Sequence, residues 1–225
     1  MPGRRACALL SRLAGAVVVL VVAAFPEGAY AQGSIAERLG EAHGLGWTMG
    51  AEDAPVTVIE FTDVSCPYCA SFHAGTRAAL HDEFVETGKV RWITLSYVSG
   101  LYPNSETVFV AAECAGRRGR YDPFLQAAFE ARESWLRAGG PELTEAVAHM
   151  GAAVGLTKDE FGSCTADAAV MERLETIRGL ARAVGVRGTP TWFVDGFPVM
   201  GDLPLGYARS FIVARLDGSR VPVPR

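Results

Sequence analysis

Two cysteines, Cys66 and Cys69, stand where a strand pattern gives way to a helix pattern, and this placement constrains the fold most strongly. The apolar, β-branched run at residues 56–61 predicts a buried strand. Residues 66–87 predict a helix, and residues 90–98 predict a second strand. A strand, a helix and a strand in this order predict a βαβ unit with parallel strands.

Helix patterns outnumber strand patterns in the second half of the chain. Residues 105–167 carry helix patterns only, and residues 168–184 predict one long helix. Two strands at 190–194 and 197–200, joined by an Asp-Gly turn, precede a last helix at 205–216. The order predicts an α/β, thioredoxin-like fold with a helical insertion between the βαβ and ββα halves.

A length of 225 residues suits one medium domain that carries an insertion. The predicted parts are a cleaved signal peptide at 1–31, an N-terminal arm at 32–54, a thioredoxin-like domain at 55–100 and 168–225, and an inserted helical subdomain at 101–167.

The first 31 residues resemble an export signal in composition. Arg4, Arg5 and Arg12 precede an apolar run at 13–25, and Ala29-Tyr30-Ala31 has the small-x-small pattern of a cleavage site. A membrane anchor is the alternative, but it would need roughly 20 apolar residues. We therefore expect an exported protein whose signal is removed after Ala31.

The net charge of the chain is −4, and cleavage would leave 18 basic and 24 acidic residues, a charge of −6. No basic tail or stripe is present in the sequence, so nucleic acid is not an expected partner.

Five cysteines are present, and Cys7 would leave with the signal. An even count in an oxidising compartment indicates disulfides before metal. Four cysteines allow three pairings, and spacing favours Cys66 with Cys69 and Cys114 with Cys164. We expect the second pair to be a structural disulfide; two separate buried thiols, or a regulatory pair, are the alternatives.

A cysteine that opens a helix meets orphan N–H groups and the positive end of the helix dipole. We therefore expect the pKa of Cys66 to fall, and its thiol to be exposed and nucleophilic. Cys69 should be more buried and act as the resolving thiol. An inert surface disulfide is one alternative, and a metal site formed with His73 is another. The metal site lacks a fourth ligand, so no metal and no cofactor are predicted.

Glu60 and the Thr189-Pro190 pair complete the candidate site. Glu60 lies in the first strand, six residues before Cys66, so burial should raise its pKa and let it accept a proton from Cys69. The alternative is a glutamate at the end of a strand that reaches water. Most X–Pro bonds are trans, so the sequence alone predicts a trans Pro190.

Residues 49–55, Asp63, the Cys66-Pro67-Tyr68-Cys69 motif and residues 185–196 together resemble the bacterial DsbA-like thiol:disulfide oxidoreductases of the thioredoxin superfamily. The resemblance extends from about residue 49 to the last helix.

The resemblance implies that Cys66 is the nucleophile and Cys69 the resolving thiol, with Glu60 as a buried acid. It implies that Thr189-Pro190 is a cis pair facing the dithiol. The dipeptide Pro67-Tyr68 would tune the potential, and the helical block would cover the site. It further implies a periplasmic enzyme that exchanges disulfides with unfolded or partly folded exported proteins and is reoxidised by a DsbB-like membrane partner.

The leading hypothesis is a thiol oxidase. A Pro-Tyr dipeptide also occurs in DsbG-like isomerases, so the alternative is a periplasmic reductase or isomerase that is DsbG-like or reduces sulfenic acids. Only about 20 to 25 residues separate the signal from the first strand, too few for a dimerisation domain, and a monomer is expected. A non-enzymatic metal or peptide binder is the third hypothesis.

Overall fold

A mixed five-stranded sheet lies at the centre of the computed structural model, which describes residues 34–220. The predicted signal peptide lies outside the described residues. The strands are β1 (Trp47–Met49), β2 (Val56–Thr62), β3 (Val90–Ser96), β4 (Thr191–Val194) and β5 (Phe197–Met200). They are arranged in the order β1-β3-β2-β4-β5.

The predicted βαβ unit is confirmed, because β2 and β3 pair in parallel while every other pair is antiparallel. The central strand β2 is buried along nearly its whole length, as expected for a strand with helices on both faces. The first strand, β1, was not predicted. It lies within the predicted N-terminal arm and has only three residues, too few to show an alternating pattern.

The helix that follows β2, here called α3, is formed by four consecutive segments. They are the α-helical Pro67–Phe72, the π-helical His73–Arg77, the α-helical Ala78–Leu80 and the π-helical His81–Val85. The remaining helices are α1 (Ile35–Gly40), α2 (Ala42–Leu45), α4 (Ser105–Gly116), α5 (Tyr121–Glu130), α6 (Arg132–Trp135), α7 (Gly140–Ala153), α8 (Lys158–Thr165), α9 (Ala168–Ala183) and α10 (Leu205–Leu216). None of the helices within residues 34–220 is long and apolar enough to cross a membrane.

Side-chain alternation divides the core between the two faces of the sheet. Val58 and Trp92 lie on the face that packs against α3 and α10. Ile59 and Phe61 lie on the face that packs against α1 and α9. Burial of each such side chain stabilises the fold by roughly 1.5–3 kcal/mol.

The inserted helices α4 to α8 have a core of their own. Phe109, Phe124 and Trp135 are fully buried in it. A disulfide joins Cys114 on α4 to Cys164 on α8, which is the pairing predicted from the spacing.

Candidate active site

The dithiol lies at the start of α3. Cys66 is the N-cap residue with an extended backbone, Pro67 occupies the first turn, and both cysteines are free thiols. Cys69 is fully buried, as predicted. The prediction that Cys66 is exposed is wrong, because the residue is only 1% exposed and its sulfur faces the backbone of Thr189. Tyr68, in contrast, is 64% exposed.

The two thiols differ sharply in proton affinity. A hydrogen bond from Cys69 lowers the pKa of Cys66 to about 5. Burial opposes this shift, and hydrogen bonds from the side chains of Thr189 and Tyr102 reinforce it. Burial raises the pKa of Cys69, and the neighbouring Cys66 raises it further. At neutral pH the arrangement therefore favours a thiolate on Cys66 and a proton on Cys69.

The segment before β4 faces the nucleophile. The Thr189–Pro190 peptide bond is cis, and the Thr189 carbonyl oxygen lies 3.4 Å from Sγ of Cys66, which can donate to it. The backbone N–H of Gly201 donates to the Pro190 carbonyl at 2.8 Å. The trans bond expected from the general frequency of X–Pro bonds is therefore wrong, whereas the cis pair that the resemblance implies is present.

Glu60 is fully buried beneath α3, and both of its carboxylate oxygens accept hydrogen bonds. Oε1 accepts from Nε2 of His73 at 2.7 Å, and Oε2 accepts from Nε of Arg77 at 3.0 Å and from Nε1 of Trp92 at 2.8 Å. Burial by itself would raise the pKa of Glu60, but His73 and Arg77 hold it well below its ordinary value. The predicted rise in the pKa of Glu60 is therefore wrong, and a carboxylate held ionised by these partners is a poor acceptor for the Cys69 proton.

The Glu60 network extends to the inserted helices. Nη2 of Arg77 donates to Asp122 on α5 at 2.7 Å, and the ring of Phe129 lies 4.3 Å from that of His73. Burial lowers the pKa of His73, so its ring is neutral at physiological pH. Within residues 34–220 no group of three histidine, cysteine or acidic side chains is placed to hold a metal ion.

Sequence reasoning did not assign a role to Asp63, which is fully buried between the strand β2 and Cys66. Oδ1 accepts from the Ser65 backbone N–H at 3.0 Å and from the Ser105 hydroxyl. Oδ2 accepts from the N–H and the hydroxyl of Ser99. The Asp63 backbone N–H lies 3.4 Å from Sγ of Cys69. An acidic residue directly after a buried strand was the available signal.

Arg132 and Tyr102 were also missed, because each reaches the site from a distant part of the chain. Arg132 on α6 donates to the Ser65 carbonyl through Nη2 at 2.6 Å and through Nε at 3.2 Å. Tyr102 is half-buried and is among the groups that lower the pKa of Cys66.

Comparison with known proteins places this geometry in a family. A family model described as Thioredoxin matches residues 43–212. A Rickettsia bellii protein, whose name provisionally assigns it as a protein-disulfide oxidoreductase, is 23% identical over 66% of this chain and 56% of its own length. An Na(+)/H(+) antiporter NhaA of Herminiimonas arsenicoxydans is 30% identical over 76% of this chain but only 25% of its own length. The chain thus spans little more than half of the first relative.

Solved structures show the same fold. The alpha-DsbA1 of Wolbachia pipientis has a TM-score of 0.69 and 22% identity, covering 77% of this chain and 92% of that one. BdbD from Bacillus subtilis has a TM-score of 0.67 and 18% identity, covering 77% and 94%. The family match, over residues 43–212, shows that the chain belongs to the thioredoxin family.

Proposed function

We propose that this chain is an exported thiol–disulfide oxidoreductase that introduces disulfides into unfolded or partly folded proteins of the periplasm. The proposal rests on the difference in pKa between the two thiols. The pKa of Cys66 is lowered to about 5, whereas that of Cys69 is raised. A thiolate is the reactive species in disulfide exchange, and only one of the two sulfurs is suited to that form.

The proposed cycle starts with a disulfide between Cys66 and Cys69. A substrate thiolate attacks Sγ of Cys66, the intramolecular S–S bond breaks, and its electron pair goes to Cys69, which takes up a proton. A second substrate thiolate then attacks the substrate sulfur of the mixed disulfide. The bond to Cys66 breaks, Cys66 keeps the electron pair as a thiolate, and the substrate leaves oxidised by two electrons.

The low pKa of Cys66 favours oxidation of the substrate over its reduction. A thiol with a low pKa is a better leaving group, and a stabilised thiolate lowers the free energy of the reduced enzyme. Both effects move electrons from the substrate to the enzyme. Reoxidation by a DsbB-like membrane partner would close the cycle, and the protein would act as a monomer.

Four residues would form the surface that meets the substrate. Pro67 and Tyr68 are exposed beside Cys66, Thr189 lies across from it and is half-buried, and the buried Pro190 follows Thr189 and would contribute by holding its backbone in place. Neither the thiolate nor a disulfide of Cys66 can donate to the Thr189 carbonyl, which would therefore be free to accept from the N–H of an extended substrate segment.

The first test of this function is disulfide exchange by the purified chain. Cys66→Ser should abolish the oxidation of a reduced, unfolded substrate protein, whereas the double variant Cys114→Ala/Cys164→Ala should retain it. Exchange that survives Cys66→Ser would reject the dithiol as the reacting centre.

The second test separates an oxidase from a reductase or isomerase. Acid-trapped, alkylated periplasm should contain the Cys66–Cys69 pair largely as the disulfide. A pair that is largely reduced would overturn the oxidase assignment and favour the reductase. The measurement requires only the full chain in its own compartment, and the Cys114→Ala/Cys164→Ala variant, reduced before alkylation, is the reference for the band with two alkylated thiols.

A further inference from the structure

We propose that Arg132 is a positioning residue for the nucleophile, which it orients through the backbone carbonyl of Ser65. Arg132 is the first residue of α6, among the inserted helices, and Ser65 directly precedes Cys66. The two residues lie 67 positions apart in the sequence. The proposal rests on the proposed exchange function for its significance, whereas the contacts that carry it are properties of the free protein.

The guanidinium of Arg132 binds the Ser65 carbonyl through two nitrogen atoms. Nη2 lies 2.6 Å from the carbonyl oxygen, and Nε lies 3.2 Å from it. The third nitrogen, Nη1, donates to the exposed carboxylate of Glu133 at 3.0 Å. The Arg132 side chain is itself only 13% exposed. Because a charged donor forms a stronger hydrogen bond than a neutral one, the contact holds the carbonyl firmly.

The Ser65 carbonyl depends on this arginine alone. Ser65 is fully buried, its N–H donates to Oδ1 of Asp63 at 3.0 Å, and its hydroxyl donates to the Pro103 carbonyl at 2.8 Å. Within residues 34–220 no donor other than Arg132 reaches the Ser65 carbonyl. Loss of the guanidinium would therefore leave a buried acceptor without a partner, and the backbone would shift to satisfy it.

The peptide group that joins Ser65 to Cys66 is held from its other end as well. The backbone N–H of Cys66 donates to the Asp63 carbonyl at 2.9 Å. A peptide group is planar and rigid, so the Ser65 carbonyl and the Cys66 N–H lie in one plane. With a partner at each end, this plane cannot rotate without breaking a hydrogen bond. Arg132 and Asp63 together fix the direction in which the chain enters Cys66.

The chain is also fixed where it leaves Cys66. The Cys66 carbonyl accepts from the Ala70 N–H at 3.1 Å, at the start of α3. Two fixed peptide planes meet at the Cα atom of Cys66 and thereby determine where its Cβ atom lies. Only rotation about χ1 remains, and in the observed rotamer Sγ lies 3.4 Å from the Thr189 carbonyl oxygen. Arg132 therefore acts on the position of the sulfur through the backbone.

The decisive variant is Arg132→Met, which keeps an apolar stem and removes both donors. The low pKa of Cys66 depends on where its sulfur lies relative to Cys69 and to the start of α3, so displacement of the sulfur should raise it. We expect the midpoint of Cys66 alkylation against pH, followed by peptide mass spectrometry in the free reduced protein, to rise by about one unit. Arg132→Lys keeps one charged donor and should shift the midpoint by less.

Two controls separate positioning of Cys66 from a general loosening of the inserted helices. Asp122→Asn weakens another contact between these helices and α3, in which Nη2 of Arg77 donates to Asp122 at 2.7 Å. Arg137→Met removes the exposed arginine that follows α6. Both variants should leave the midpoint of Cys66 alkylation unchanged, whatever Asp122→Asn does to the free energy of unfolding.

An unchanged midpoint in folded Arg132→Met would overturn the proposal, and so would an equal shift in Asp122→Asn. Should Arg132→Met fail to fold, the shorter and uncharged Arg132→Gln carries the same test with the same two outcomes. No substrate takes part in this titration. An unchanged midpoint would therefore leave the proposed exchange function standing, and failure of that function would leave the titration unaffected.

Discussion

Nε2 of His73 lies 2.7 Å from Oε1 of Glu60, and the pair joins the helix that carries Cys69 to the central strand. The glutamate is fully buried and the histidine side chain is 7% exposed. With Arg77 on its other oxygen, Glu60 is held as a carboxylate inside the protein. These contacts anchor α3 to the central strand.

Glu60→Gln should therefore destabilise the protein strongly. The variant leaves the Arg77 guanidinium buried without its main counter-charge, a change that typically costs about 3–5 kcal/mol. Urea unfolding at neutral pH measures the loss. Glu83→Gln, which breaks an ion pair with Arg209 at the surface, is the control and should have a far smaller effect because solvent screens it. Equal losses in the two variants would contradict the buried-anchor role.

The same network makes stability fall in acid. The folded-state pKa of Glu60 lies below its ordinary value of 4.5, so its contribution is present above about pH 4.5 and is lost as the pH falls below it. His73 and His81 are buried neutral with lowered pKa values, so stability begins to fall once the pH drops below their ordinary value of 6.5. The free energy of unfolding should decline as the pH falls across this range. Below pH 4.5 the decline should be less steep in Glu60→Gln than in the natural protein. If the free energy of unfolding fell equally steeply below pH 4.5 in both proteins, the loss would not come from Glu60.

Cys69→Ala should raise the pKa of Cys66. The hydrogen bond from Cys69 is the largest cause of the low value of about 5, and its loss should move the pKa of Cys66 up by about one to two units. Cys69→Ser keeps a hydroxyl donor and should shift the value less. The pH dependence of Cys66 alkylation measures both variants, and identical profiles in Cys69→Ala and the natural protein would argue against the contact.

Arg132→Met should loosen the attachment of the inserted helices to the active-site segment. The variant keeps an apolar stem but removes both donors to the Ser65 carbonyl, and an unsatisfied buried group costs about 1–3 kcal/mol. Unfolding free energy and the rate of disulfide exchange should both fall. Arg137→Met, at an exposed position nearby, serves as the control and should leave both unchanged.

The Cys114–Cys164 disulfide closes a separation of 50 residues within the inserted helices. Removing it in Cys114→Ala/Cys164→Ala should destabilise the protein by up to about 4 kcal/mol in the chain-entropy model. The pKa of Cys66 should stay the same if the bond is structural. Non-reducing mass spectrometry should find the cross-link, and a changed Cys66 pKa in the double variant would favour the regulatory alternative.

Local patterns determined much of this protein. Apart from the short β1, the order of strands and helices, the parallel βαβ unit and the helical insertion follow from periodicity and turn residues, which act over short stretches of chain. The place of Cys66 at a helix start follows from the same information, as does the lowering of its pKa. The pairing of Cys114 with Cys164 was indicated by cysteine count and spacing.

Tertiary structure decided what surrounds those residues. The sequence indicated a buried Glu60 but not the His73 and Arg77 side chains that reverse the shift of its pKa. It also indicated an exposed Cys66, whereas the Thr189 backbone, 123 residues away in sequence, lies against its sulfur. Burial and pKa depend on contacts between segments far apart in the chain. The sequence therefore indicated which cysteine is the candidate nucleophile, and only the packing decided how Thr189 lies against it and which partners hold Glu60.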